Sequence, residues 1–130
     1  AFLGPKYDRA LAHLFVNLKR SDLFRWRPVR GALVGGALMT SRPLEELLER
    51  HIDDAVMADL RAAHAGGRRL FVATSNVLTH RLVVWDVGAI AASGRPDAHA
   101  IVRKVVQAAC SIPGLAPPVE FDVTVDGVRY

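Results

Sequence analysis

Apolar positions along this chain follow two rhythms, which divide it into helical and extended stretches. Tyr7, Leu11, Leu14, Phe15 and Leu18 recur at three- and four-residue intervals, predicting an amphipathic helix over 5–19. Pro5 suits its first turn, where a missing N–H costs nothing. Ser21 and Asp22 can cap a short following turn, which Pro28 interrupts, and the Gly-rich run 32–39 is assigned to no element. A second helix follows Thr40 or Ser41 as cap, with Pro43 in its first turn and Glu45 and Glu46 near its positive end. Its stripe is Leu44, Leu47, Leu48 and Ile52. Asp53 and Asp54 open a third helix that turns Val56, Met57, Leu60 and Ala63 inward, and Gly66 and Gly67 stop it in a left-handed C-terminal conformation.

Beyond Gly67 the rhythm shortens. The apolar runs 70–73 and 82–85 read as strands, the first buried on both faces, joined through 75–80 in a hairpin without a tight Asn-Gly turn. Asp97 is placed to cap a helix over 98–110 whose stripe is Ile101, Val102, Val105, Ala108 and Ala109. Pro113, Pro117 and Pro118 forbid its continuation. Residues 119–125 alternate apolar and polar, Asp126 and Gly127 signal a turn, and 128–130 begin a return strand. Strands interspersed with long helices make the class α/β.

Composition narrows the possibilities without choosing among them. At 130 residues the chain is one domain or part of one. The longest apolar stretch, 31–39, is half of what a membrane span needs and contains three glycines, so a transmembrane reading is rejected. The single cysteine, Cys110, excludes an internal disulfide. The chain opens on Ala-Phe-Leu-Gly-Pro and closes mid-strand on Val128, Arg129 and Tyr130, which reads as an internal fragment of a longer protein.

Net charge is +4, and part of the surplus is concentrated. Lys19, Arg20, Arg25, Arg27 and Arg30 lie within twelve residues, interleaved with Phe24 and Trp26 and opposed only by Asp22. The preferred reading is a solvated connector with its two aromatics in the core. An anionic membrane surface ranks second, with Lys19, Arg20, Arg25, Trp26, Arg27 and Arg30 as the contact residues. Nucleic acid ranks last and is not expected as a partner.

Catalytic motifs are missing. The histidines 13, 51, 64, 80 and 99 are never four residues apart, and no CxxC exists, so no metal site is expected. None of Ser21, Ser41, Ser75, Ser93 and Ser111 sits in G-x-S-x-G. The glycines form neither G-x-G-x-x-G nor a Walker loop, and no cofactor is expected. Asp86, directly after a strand, is the one acid in a position that α/β sites often use, although a loop-capping role is preferred.

Three segments nevertheless carry a resemblance. RRLFVATSN at 68–76, RLVVWDVGAIAASG at 81–94 and ACSIPGLAPPV at 109–119 are similar, in this order and spacing, to signature stretches of the patatin-like phospholipases. The bacterial branch of that family is the nearest in pattern, and AFLGPKYD at 1–8 resembles the segment after its nucleophile helix. The resemblance implies a partial patatin-like fold, a mixed sheet flanked by helices and truncated at both ends, with 1–130 as the middle of the domain. It also implies a lipid acyl hydrolase of the phospholipase A type, with a phospholipid substrate and a Ser-Asp dyad.

By the family's order the serine elbow lies upstream of Ala1 and the aspartate downstream of Tyr130, so the chain itself would hold no catalytic residue and be inactive alone. Asp126-Gly127 is followed by Val128 and belongs to the hairpin before the catalytic motif. The alternative is a non-catalytic module that contacts an anionic membrane through 19–30. The compartment stays open between cytoplasm and membrane periphery.

The 111–118 turn resembles a segment near the family's active site. Ser111, Ile112, Pro113, Leu115 and Pro117 are therefore pocket-wall candidates, against the equal alternative of a helix terminator packed on the sheet. Thr74 and Asn76 are expected to support a neighbouring loop. The chain departs from the family at His80, where a Gly is usual, at Leu82 for Pro, and at Ala116 for Phe. His80 strains the turn if a positive φ is needed there, and Ala116 enlarges a pocket or leaves a void.

Overall fold

A computed structural model describes residues 2–26, 39–112, 116–122, 124–125 and 128–129. The expected turn at Asp126 and Gly127, and 32–38 of the Gly-rich run, lie outside the described residues. Gly4, at φ 87°, turns the chain into a 3-10 turn at Pro5–Tyr7, which continues as α1 (Asp8–Asn17). Leu18 is extended, so the helix stops short of residue 19. A short α2 (Arg20–Leu23) leads into β1 (Arg25–Trp26), which pairs with β2 (Met39–Thr40). Then come α3 (Arg42–His51) and α4 (Asp54–Ala65).

Ser41 stands at the N-cap position of α3 without a side-chain capping bond, whereas capping fixes both ends of α4. Asp53 accepts from the Val56 amide at 2.9 Å and starts α4. At the other end the Arg68 amide donates to Ala63 O and the Gly67 amide to His64 O, both at 3.0 Å, with Gly67 at φ 85°. That pair of bonds is a Schellman closure, and Gly67 provides the left-handed residue it requires.

The strands β3 (Phe71–Asn76) and β4 (Arg81–Asp86) pair antiparallel over their full length, from Phe71↔Asp86 to Asn76↔Arg81. The Asn76 carboxamide oxygen accepts from the amides of Leu78 and Thr79 at 2.9 and 3.0 Å, folding the turn from within. His80 closes it at φ 54°, the strained conformation foreseen for a residue in a glycine's place. Directly after β4, Asp86 accepts from the Ala89 amide at 2.9 Å and opens α5 (Val87–Ala92). This helix was not expected, because VGAIAA is apolar all round and has no 3.6-residue rhythm.

The last long helix, α6 (Ala98–Cys110), has the bounds its pattern predicts. Asp97 occupies its N-cap position but makes no capping bond. Its carboxylate is bridged instead by Arg95 at 2.8 and 2.7 Å. Near the end of the chain β5 (Thr124–Val125) pairs with β6 (Val128–Arg129).

One core joins these parts. Met57 and Leu60 of α4, Val87 and Ala91 of α5, and Ala98, Val102 and Val105 of α6 bury one another, with Val72, Trp85 and Phe121 packed against them. Trp85 anchors the hairpin: its indole N–H donates to Thr74 Oγ1 at 2.9 Å and its ring stacks on Phe121 at 4.6 Å.

The structure corrects three expectations. The mixed sheet is not found among the described residues, which hold three separate two-stranded antiparallel ladders. Each strand there pairs only with its own hairpin or loop partner. Next, β3 is not buried on both faces. Burial alternates along it, so Val72, Thr74 and Asn76 face the helices while Phe71, Ala73 and Ser75 face outward. Finally, no residue of α1 is buried, although its stripe has the right period.

Candidate functional site

The 111–118 turn leaves α6 with its one hydroxyl already committed. Ser111 Oγ donates to Gln107 O at 2.9 Å, and the Ser111 amide donates to Ala108 O. Both bonds satisfy carbonyls that a helix end leaves without partners. Ser111 and Pro117 are half-buried and Ile112 is exposed, while Pro113 and Leu115 lie outside the described residues. The Ala116 amide donates to Ile112 O at 3.0 Å, closing the turn. Ala116 itself is 5% exposed, so its neighbours have closed around the methyl group rather than leaving it open to solvent.

A polar clamp that the sequence pattern did not reveal lies beneath this turn. Ser41 is 3% exposed, and its hydroxyl donates to Glu45 Oε1 at 2.8 Å. Gln107 Nε2 donates to the same oxygen at 2.8 Å and to Ser41 Oγ at 3.1 Å. The clamp ties the start of α3 to the last turn of α6, from which the 111–118 turn departs. Only the N-cap position of Ser41 hinted at it, since Gln107 is 66 residues away in sequence.

A serine hydroxyl on a carboxylate invites comparison with a nucleophile and its base. Ser41 even stands at a strand-to-helix junction, but Met39 and Pro43 occupy the elbow's glycine positions. Its backbone is unstrained at φ −86°, and it is closed to solvent. The arrangement fastens two helices and offers no path to an ester.

Beside the clamp lies an open cleft of about 400 Å³, lined by Glu45, Leu48 and Glu49 of α3, Arg103, Lys104 and Gln107 of α6, and Pro118 to Glu120. Arg103 reaches across the helices to donate to Ile52 O at 2.8 Å, satisfying the C-terminal end of α3. Lys104 donates to Glu120 O at 3.0 Å and holds the segment after the prolines against α6.

The basic cluster is spread over α2 and β1. Lys19 is exposed, and its amide donates to the Asp22 carboxylate at 2.9 Å. Arg20 opens α2, and Arg25 and Trp26 form β1 opposite Thr40 and Met39. Arg25 is exposed and lines a second shallow cleft of about 320 Å³ with Thr40, Arg42, Pro43 and Glu46. Phe24 is half-buried, and Arg27 and Arg30 lie outside the described residues.

Asp86 serves as the N-cap of α5, where a loop-capping role is the sequence expectation. Its Oδ1 also lies 3.9 Å from His64 Nδ1, which is buried without a hydrogen-bond partner. Gly88 packs against that ring so closely that a Cβ would come within 2.8 Å of Nδ1. Among the described residues no group of three or more His, Cys, Asp or Glu could hold a metal ion, and no helix is long and apolar enough to cross a membrane.

Comparison with known proteins gives one result. A family model described as "Patatin-like phospholipase" matches residues 2–130. No curated protein and no solved structure matches.

Proposed function

Because the chain belongs to the patatin-like phospholipase family, whose members in general are lipid acyl hydrolases, we propose that it is the middle of a phospholipase A-type serine esterase domain. Its dyad serine and aspartate lie outside residues 1–130. The observation that carries this reading is the contrast between a family match over nearly the whole chain and the state of its serines. Ser41, Ser93 and Ser111 donate to Glu45, Ile90 O and Gln107 O, Ser21 contacts Asp22 at 3.4 Å, and Ser75 faces outward in mid-strand. None stands at an exposed elbow with a free hydroxyl and oxyanion donors around it.

In the intact domain the 111–118 turn forms part of the acyl pocket wall through Ser111, Ile112, Pro113, Leu115 and Pro117, and the clamp beneath it fixes its departure from α6. Strands outside this chain complete the mixed sheet. The order and spacing of the motifs in 68–119 support the bacterial branch. Sequencing the surrounding gene tests the reading. The expected result is G-x-S-x-G within about twenty residues upstream and Asp-Gly-Gly or Asp-Gly-Ala within about twenty downstream. A gene with neither motif overturns it, and so does p-nitrophenyl ester turnover by residues 1–130 that depends on one of the five serines.

A second reading draws on the exposure of Lys19 and Arg25, and assigns 19–30 to a peripheral contact with anionic lipid. Sedimentation with vesicles should then fall when acidic lipid is omitted or salt is raised. Binding indifferent to both would remove that role.

A further inference from the structure

The tip of the β3–β4 hairpin presents large apolar side chains to water. Leu78 is 88% exposed, Leu82 69% and Val77 50%.

Two further features favour a lipid surface. The stretch 70–85 contains no acid, and its one formally charged residue is Arg81, paired with Asn76 at the tip. A cation beside a protruding apolar tip complements an anionic headgroup layer, since its aliphatic stem can lie in the interface while the guanidinium stays at the phosphates. In addition, the tip's backbone is prepared for leaving water. The amides of Leu78 and Thr79 already donate to Asn76 Oδ1, so burying them in lipid does not strand two donors.

We propose that this hairpin tip is a membrane-inserting element, with Val77 and Leu78 entering the interfacial region of an anionic bilayer and Arg81 at the headgroup phosphates. The proposal rests on the reading of the intact protein as a lipid hydrolase, for which it supplies the means of reaching the bilayer. It is independent of residues 19–30.

The test uses the full-length protein with vesicles of phosphatidylcholine, with and without phosphatidylglycerol. Leu78→Asp should weaken vesicle partitioning about tenfold or more, because an exposed apolar anchor is replaced by a charge that the headgroups repel. Arg81→Gln should weaken binding to the phosphatidylglycerol vesicles and leave binding to phosphatidylcholine alone unchanged. An environment-sensitive fluorophore on Leu78→Cys, in a Cys110→Ser background, should shift to the blue when vesicles are added. The same label on Arg61→Cys, on the exposed side of α4, should not.

Unchanged partitioning of Leu78→Asp, or no shift at position 78, overturns the proposal. It is likewise overturned if the protein is a dimer that Leu78→Asp converts to monomer, since the tip would then dock on a second copy. Turnover of a short-chain soluble ester separates the two readings. Leu78→Asp should retain it, and a full-length protein that lacks it sinks the hydrolase reading while the vesicle result still decides the insertion.

Discussion

The helices α1 and α6 have the same amphipathic period and opposite fates. In α6, Val102 and Val105 are buried to within 1% against α4 and α5. In α1, Leu11, Phe15 and Val16 remain exposed, Phe15 at 67%. A hydrophobic stripe thus specifies a helix and the face it offers, while burial depends on another element arriving opposite it. For α6 that element is local: α4, α5 and the inner face of the β3–β4 hairpin all lie within the chain's central part. What fastens α1 to this body lies at its N-terminal approach, where Phe2 and Leu3 pack on the core and Lys6 Nζ and the Tyr7 hydroxyl donate to Asp59 of α4.

Truncating one residue in each place should give the largest contrast. Met57→Ala removes a side chain with 0% exposure from the core and should cost about 2–5 kcal/mol in a urea titration. Phe15→Ala on α1 should change stability by no more than about 0.5 kcal/mol, as for ordinary surface positions. Equal losses at the two sites would mean that α1 is buried in solution and that the comparison is mistaken. Ala116 belongs with the packed region by the same measure. Ala116→Phe should destabilise this chain by about 1–3 kcal/mol, since a ring at a position only 5% exposed must displace the groups around it. A neutral or stabilising result would reveal a void beside residue 116.

Legibility from sequence divides along the same line. The bounds of α6, the Asp53 cap and the Gly67 stop are local properties, set by residues within one turn of each other, and all three were predictable. So was the position of the hairpin. Burial of the α1 stripe and of both faces of β3 depended on distant partners, which periodicity does not report. Helix α5 escapes because the six residues VGAIAA are apolar throughout and have no periodic signature, and Asp86 reads from sequence only as a loop cap. The Ser41–Glu45–Gln107 clamp escaped for a different reason: each residue is unremarkable alone, and only the packing of α3 on α6 brings them together. Family resemblance comes from 68–119, whose helices α5 and α6 supply Val87, Ala91, Ala98, Val102 and Val105 to the core, with Val72 and Trp85 of the hairpin packed against it.

The hairpin turn offers a smaller effect in the opposite direction. His80 holds φ 54°, a conformation that costs a side chain with a Cβ about 1–2 kcal/mol and glycine almost nothing. Part of that relief is offset by the greater freedom of glycine in the unfolded chain. His80→Gly should therefore stabilise the chain by up to about 1 kcal/mol, read as a shift in the urea midpoint with unchanged slope. A destabilised variant would show that the imidazole makes a contact worth more than the strain.

The polar attachment of α1 should produce the smallest effect, and its pH dependence identifies it. The hydrogen bonds from Lys6 and then Tyr7 hold the Asp59 carboxyl below the usual range, while Asp59 in turn raises Lys6 and Tyr7. A depressed folded value means that the unfolded chain takes up a proton first as pH falls. The contribution of Asp59 is then complete above its unfolded value near pH ~3.9 and is lost as pH drops through the lower folded one. The raised Lys6 behaves in the mirror sense: its contribution is complete below its unfolded value near pH ~10.4 and is lost as pH rises through the folded one. Asp59→Asn should therefore lower stability slightly at neutral pH, and the gap to wild type should close only on acidification below about pH 4. Because the pair is exposed, added salt should narrow the gap as well. A gap that persists unchanged into strong acid would show that Asp59 attaches α1 through packing or neutral hydrogen bonds, and the two helices would then differ less in kind than their exposure suggests.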